Sequence, residues 1–256
     1  MLEARHLVKR YFGHAVVNDV SFGVRRGEVV GYLGPNGSGK STTAKMLTGL
    51  LDPSAGTVSF DGQKTADDPI RFRRRLGYVP EEPILYTFQS AIEYLELVGQ
   101  LRELPSPLLK TKIGALLELF GLSHAANQDI GSFSKGMKQR VMLVAALLHD
   151  PDVLILDEPD SGLDVTTTLV LRHLVIALAR RGKAVLYSSH VLELVEKACD
   201  RVLVIHHGKI VADDSVAALQ RLAASGSLVE VFSQLVLRDD PERTAAEIAD
   251  VVVTRA

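Results

Sequence analysis

The chain has 256 residues, 46% of them hydrophobic, and a formal net charge of −2. That length supports one large or two small domains with a sizeable core, and the near-neutral charge excludes the basic surplus of a nucleic-acid or membrane-surface binder. One cysteine, Cys199, excludes an internal disulfide, and the first ten residues, MLEARHLVKR, hold no apolar signal core.

Residues 2–11 and 15–24 read as two strands around a Gly13-His14 turn, and Arg26-Gly27 turns the chain into an apolar strand at 28–33. Gly34, Pro35, Asn36, Gly37, Ser38, Gly39, Lys40 and Ser41 then spell a complete G-x-x-x-x-G-K-[ST] loop, followed by Thr42 and a helix-compatible stretch at 41–50. Gly34, Gly37 and Gly39 are expected to take positive φ and let backbone N–H groups face an anion at a helix N-terminus. Lys40 supplies a point charge for the β and γ phosphates, and the Ser41 hydroxyl suits Mg²⁺. Strand, loop and helix together point to a bound nucleoside triphosphate.

Residues 56–62 give a short strand and turn, the basic run of Arg71, Arg73, Arg74 and Arg75 reads as a solvated helix end, and 76–79 forms a strand stopped by Pro80. From about 88 to 150 the spacing is helical, over 91–101, 108–120 and 137–148, with Pro105 and Pro107 breaking the first pair. The uncharged apolar run at 141–148 is far short of the roughly 20 residues that span a bilayer, so a membrane process would need a second chain. Strand and helix then alternate: VLILD at 153–157, helix 165–181, strand 184–188, helix 191–199, and strands 201–206 and 209–212. This rhythm predicts a doubly wound sheet with ligands outside the carboxyl ends of its strands. Cys199 reads as a buried structural thiol in a reducing compartment. Two short helices, 216–223 and 229–237, precede a polar end.

A magnesium nucleotide also needs an outer carboxylate. The strand at 153–157 delivers Asp157 and then Glu158, which suggests divided labour: Asp157 on the Mg²⁺ shell, Glu158 as base for the attacking water. His190, after Ser188-Ser189, lies one strand beyond this pair. His206 and His207 read as solvated turn residues, and His6, His14, His124, His149 and His173 show no ligand spacing.

The motifs GPNGSGKST (34–42), FSKGMKQR (133–140), VLILDEPDSGLD (153–164) and SSH (188–190), in that order, resemble the ATP-binding cassette (ABC) ATPases over roughly residues 2–220. The resemblance implies an α/β P-loop ATPase core with a mixed sheet, an N-terminal antiparallel β subdomain and an inserted α-helical subdomain. The core would be 1–87 with 151–220, the helical subdomain 88–150, and 221–256 a short tail. It implies ATP and Mg²⁺ as cofactors, and a second ATPase protomer, identical or not, bound head to tail. It also implies a transmembrane permease on a separate chain, a cytoplasmic place on the inner face of the cell membrane, and no nucleic-acid partner.

By the same resemblance, Ser134 and Gly136 would donate to the partner's γ-phosphate, His190 would touch the γ-phosphate, and Tyr11 would stack on adenine. Ser161 to Asp164 would cross the dimer interface. Several positions depart from the usual pattern. Lys135 adds positive charge, Met137 removes a side-chain contact, and Asp160 replaces a common threonine with no effect that sequence predicts. Gln139 and Arg140 match the motif, Arg140 equally as the polar face of a helix. Glu81 stands where glutamine is usual; it can still ligate Mg²⁺, although like charges 4 Å apart repel by about 4 kcal/mol at an effective dielectric of 20. Tyr86 and Phe88 fit equally a local core under a loop and a surface that receives a short helix of the membrane subunit. Pro80-Glu81-Glu82 and Ser-Lys-Gly-Met tilt the reading toward an ATPase that powers export by ATP-driven dimer closure. The rival is a non-transport ABC ATPase acting on DNA or ribosomes or in a soluble assembly, and the chain lacks the coiled-coil heptads, zinc cysteines and second cassette common there.

Overall fold

A computed structural model describes residues 1–221 and 227–236; the expected helix ends at Ala223 and Leu237, and most of the 221–256 tail, lie outside the described residues. In chain order the first half gives β1 (Leu2–Tyr11), β2 (His14–Val24), β3 (Val29–Leu33), α1 (Lys40–Leu47), β4 (Ala55–Phe60), β5 (Gln63–Lys64), α2 (Pro69–Arg73) and β6 (Leu76–Val79). Three helices follow, α3 (Ala91–Leu101), α4 (Ser106–Leu119) and α5 (Lys135–Leu147). The chain then runs through β7 (Val153–Asp157), α6 (Val165–Arg180), β8 (Ala184–Ser188), α7 (Leu192–Ala198), β9 (Arg201–His206), β10 (Lys209–Ser215), α8 (Val216–Gln220) and α9 (Leu228–Val236).

Two sheets result. An antiparallel sheet has the order β2-β1-β4-β5, and a mixed sheet has the order β10-β9-β3-β8-β7-β6, parallel throughout except for β10 against β9. The near-continuous apolar strands are buried on both faces, as a parallel sheet requires. Alternate residues enter different cores: Val30, Tyr32, Ile155, Leu186 and Leu203 face the antiparallel sheet and α1. Val29, Leu33, Leu154, Leu156, Val185 and Val204 pack with α6, α7 and the helices α3 to α5. The helical insertion thus shares one continuous core with the sheet.

Local caps explain the helix starts. Ser90 and Glu93 form a capping box at α3, Ser134 caps α5, and Asp164 caps α6. Asp68 caps α2, the short helix whose end the basic run marks. Pro105 and Pro107 do not simply break a helix: Pro105 is the cap and Pro107 sits in the first turn of α4, where a missing N–H costs nothing.

The two sheets are tied by charge. Asp61, in the β4–β5 turn, takes the Met1 ammonium at 2.5 Å, Arg26 at 2.9 Å and Arg75 at 3.1 Å. Arg75 and Arg26 also reach Asp152, at 2.5 Å and 3.2 Å, just before β7. Arg71, Arg73 and Arg74 stay exposed as expected, but Arg75 is half-buried in this network and is no solvated helix end.

Candidate functional site

The phosphate loop is built between β3 and α1. Gly37 and Gly39 take φ of 78° and 108°, and a Cβ at Gly39 would lie 2.8 Å from the Val16 carbonyl, so both conformation and space demand glycine there. Gly34 corrects the expectation: its φ is not positive, and a side chain is excluded because a Cβ would lie 2.4 Å from the Ile205 carbonyl. Gly39 is also the N-cap of α1 and offers no side-chain acceptor, so the first N–H groups of that helix are left for an anion. Lys40 is 7% exposed; its Nζ donates to Gly34 O at 2.7 Å and Pro35 O at 3.3 Å, and lies 4.0 Å from Glu158 Oε1.

A cleft of about 240 Å³ opens over this loop. Asn36, Gly37, Lys40, Ser41 and Thr42 form one side, Glu81 and Glu158 the other, and Val16 adds an apolar wall that sequence reasoning missed. Pro35 and Ser38 shape the loop without lining the cleft. A cavity of about 270 Å³ between α1, β4 and α2 is slightly larger, but Met46, Leu51, Val58 and Phe72 line it and none of the predicted site residues does.

The acids converge on the same place. Asp157, buried at the end of β7, accepts from Ser188 Oγ at 2.7 Å. Burial and the Glu81 charge push its carboxyl above the usual range, opposed by Ser188, Ser41 and the Lys40 ammonium. Glu81 accepts from Ser41 Oγ at 3.4 Å. Ser41, Asp157 and Glu81 are an all-oxygen donor set in which the two carboxyl groups act on one another, which fits Mg²⁺. Among the described residues no group of three His, Cys, Asp or Glu side chains forms a metal site, so such a cation would need phosphate oxygens to complete its sphere. Glu158 holds φ at 50° and is buried; its Oε2 lies 2.6 Å from His190 Nδ1 and accepts from the His190 N–H at 3.1 Å.

The segment at 133–140 does not line that cleft. Ser134 Oγ accepts from Met137 N–H at 3.2 Å while its own side chain is exposed. Gly136 packs so closely on the Gly162 backbone that a Cβ would lie 2.4 Å from Gly162 O. Lys135 Nζ donates to Ser161 Oγ at 2.8 Å. Gln139 is fully buried and donates to Pro159 O at 3.1 Å, joining this segment to the loop of the acid pair. Arg140 is not a solvated polar face; it donates to Phe120 O at 3.0 Å. Tyr11 stands apart as well, exposed near the β1–β2 turn with Lys9 Nζ 5.4 Å from its ring centre.

Tyr86 and Phe88 are surface groups, 53% and 76% exposed, beside Ile84 at 79%. Their rings lie 5.9 Å apart, and Tyr86 meets Tyr94 edge-on at 6.2 Å. Cys199 is buried and free, and burial raises its thiol well above the reactive range. His149, which showed no ligand spacing, is held at about 4 by burial and contacts the Leu76 carbonyl at 2.9 Å. Among the described residues no helix is long and apolar enough to cross a membrane.

Residues 17–161 match the family described as ABC transporter. The ABC transporter ATP-binding protein NatA of Bacillus subtilis (strain 168) is 38% identical over 223 residues, covering 87% of this chain and 91% of that one. The Nod factor export ATP-binding protein I of Burkholderia orbicola (strain AU 1054) is 36% identical over 241 residues, 93% of this chain and 79% of that one. Among solved structures, an ATP-binding subunit of an ABC transporter superposes with a TM-score of 0.86 at 35% identity, covering 92% of this chain and 99% of the other. A dimeric ATP-binding cassette in a post-hydrolysis state with ADP and Pi superposes with a TM-score of 0.78 at 25% identity, over 84% and 98% of the two chains.

Proposed function

The chain belongs to the ABC transporter family as an ATP-binding and ATP-hydrolysing subunit, and from that premise we propose that its turnover drives export through a separate membrane subunit. The observation that carries this reading is the convergence of Lys40, Ser41, Glu81 and Glu158 on one cleft, with Asp157 beside Ser41 and His190 hydrogen-bonded to Glu158. Support for export comes from the similarity to a Nod factor export ATP-binding protein.

The loop N–H groups and Lys40 bind the β and γ phosphates, Asn36 and Thr42 shape the floor, and Tyr11 stacks on the adenine. Ser41, Asp157 and Glu81 would hold Mg²⁺, which would neutralise charge on the phosphates. Glu158 orients and deprotonates the attacking water, and His190 reaches from Glu158 toward the γ-phosphate. Ser134, exposed at the N-terminus of α5, and the partly buried Gly136 complete the site of a second protomer rather than their own. ATP then favours the closed dimer because these contacts exist only there, and hydrolysis removes them.

Outside the cleft, Ile84, Tyr86 and Phe88 dock the membrane subunit, which places the chain on the cytoplasmic face of the membrane. The experiment is reconstitution of the purified chain with its multi-span membrane partner in liposomes. The reading expects ATPase activity and outward movement of cargo that both disappear in Lys40→Ala. Stoichiometric association with ribosomes or DNA instead, with no membrane partner, would favour the rival.

A further inference from the structure

Asp160 leaves β7 two residues after Glu158, and its two carboxylate oxygens serve different partners. Oδ1 accepts from the Tyr187 hydroxyl at 3.1 Å, and Oδ2 accepts from the Ser189 hydroxyl at 3.1 Å. Both donors are buried and flank Ser188 at the end of β8. Ser189 Oγ also accepts from the Val191 N–H at 3.0 Å, which fixes the direction of its own proton toward Asp160. Burial and the Asp160 charge push the Tyr187 phenol far above its ordinary value, so it stays a donor.

These contacts close a ring around the catalytic pair. The chain runs Glu158, Pro159, Asp160; Asp160 holds Ser189; Ser189 precedes His190; and His190 returns to Glu158 through its N–H and its Nδ1. Glu158 itself sits at a positive φ of 50°, which a non-glycine residue keeps only when its surroundings over-determine it. Three other restraints act here: Glu158 N–H to Ser188 O at 3.0 Å, Ser161 N–H to Glu158 O at 3.1 Å, and Gln139 Nε2 to Pro159 O at 3.1 Å. None of the three touches the residue next to His190.

We propose that Asp160 is a positioning residue for ATP hydrolysis, which sets His190 against Glu158 by bridging Tyr187 and Ser189. The proposal rests on the reading of Glu158 and His190 as the hydrolytic pair. An Asp160 that merely satisfied the buried Tyr187 phenol would stabilise the fold without touching turnover, and the two roles separate by experiment.

Steady-state ATPase, ATP titration and melting are measured on the full chain. Asp160→Ala is expected to lower kcat by on the order of 10- to 100-fold, the scale of small misplacements in an active site, while ATP affinity moves less than about twofold. Asp160→Asn, which keeps an acceptor oxygen, recovers part of that loss. Ser189→Ala lowers kcat as well, and the double variant is no slower than Asp160→Ala, because both cut one link. Tyr187→Phe loses less turnover than Ser189→Ala, because Ser189 is the half of the bridge that adjoins His190. Wild-type kcat in Asp160→Ala, additive losses in the double variant, or full turnover in Ser189→Ala with loss in Tyr187→Phe would each overturn the proposal. If Asp160→Ala does not fold, Asp160→Asn and Ser189→Ala decide on the same criteria: normal kcat in both overturns it. Glu158→Gln is assayed alongside. Normal hydrolysis there removes the underlying reading, whereas its loss beside an unaffected Asp160→Ala removes this proposal alone.

Discussion

His190 grips one oxygen of Glu158 twice, through Nδ1 at 2.6 Å and through its backbone N–H at 3.1 Å. The other oxygen faces Lys40 Nζ at 4.0 Å. Glu158 is thus buried between a largely exposed imidazole and a buried ammonium, with the cleft in front of it. On the proposed function, that arrangement aims the carboxylate where water would attack a γ-phosphate held by Lys40.

His190→Ala removes the side-chain half of this grip and, on the proposed function, the group that reaches the phosphate. Turnover should fall by on the order of 10², typical for removing a donor that stabilises transition-state charge. ATP affinity should stay within a few-fold, because the loop and Lys40 are untouched. Steady-state kinetics with a parallel ATP titration checks this, and an unchanged kcat would detach His190 from the chemistry.

Asp157 makes a prediction about stability and pH. Burial and the Glu81 charge raise its carboxyl, so between the ordinary aspartate value and the raised one the folded chain binds more proton than the unfolded chain. The stability this contributes is complete below the ordinary aspartate range and is lost as pH rises through the raised value. Asp157→Asn, still able to accept from Ser188, should therefore melt higher than wild type at neutral pH without nucleotide, and the difference should shrink toward acid pH. Glu81→Gln should move the melting curve the same way by a smaller amount. Calorimetry across that pH range tests both; parallel curves for wild type and Asp157→Asn would refute the account.

Asp61 carries the opposite sign. Although burial works against ionisation, the Met1 ammonium and Arg26 outweigh it and hold this carboxyl at about 2. Its stabilisation is present above the ordinary aspartate range and is lost as pH falls toward that value. Its side chain is 36% exposed, so solvent screening limits the worth of the network to roughly 1 kcal/mol. Asp61→Asn should lower the melting temperature by about 2–4 °C at neutral pH, and the gap should close in strong acid. A neutral-pH melting point equal to wild type would show that the two sheets do not depend on this tie.

The sequence made some of this legible and not the rest, for physical reasons. The phosphate loop and the Asp157-Glu158 pair were readable because backbone conformation, close approach and metal chemistry each narrow a position to one or two residue types. The alternation of strands and helices likewise foretold the doubly wound sheet, since a strand buried on both faces has to be apolar almost throughout; its mixed character was implied by the family resemblance. Gln139, Asp160 and Arg75 were not readable in this way. Each looks like an ordinary polar residue until folding brings it to Pro159, to Tyr187 and Ser189, or to Asp61 and Asp152. The Gly34 constraint was misread for a related reason: it comes from Ile205, which lies in a strand near the other end of the chain.

The central claim is that each ATP is held between two protomers and released by Glu158-dependent hydrolysis. Light scattering of Glu158→Gln with and without saturating ATP tests it most directly. The account predicts that ATP binds, turnover falls by roughly 10² to 10⁴, and the mass doubles from one chain to two. A variant that binds ATP and remains at the mass of one chain would contradict it.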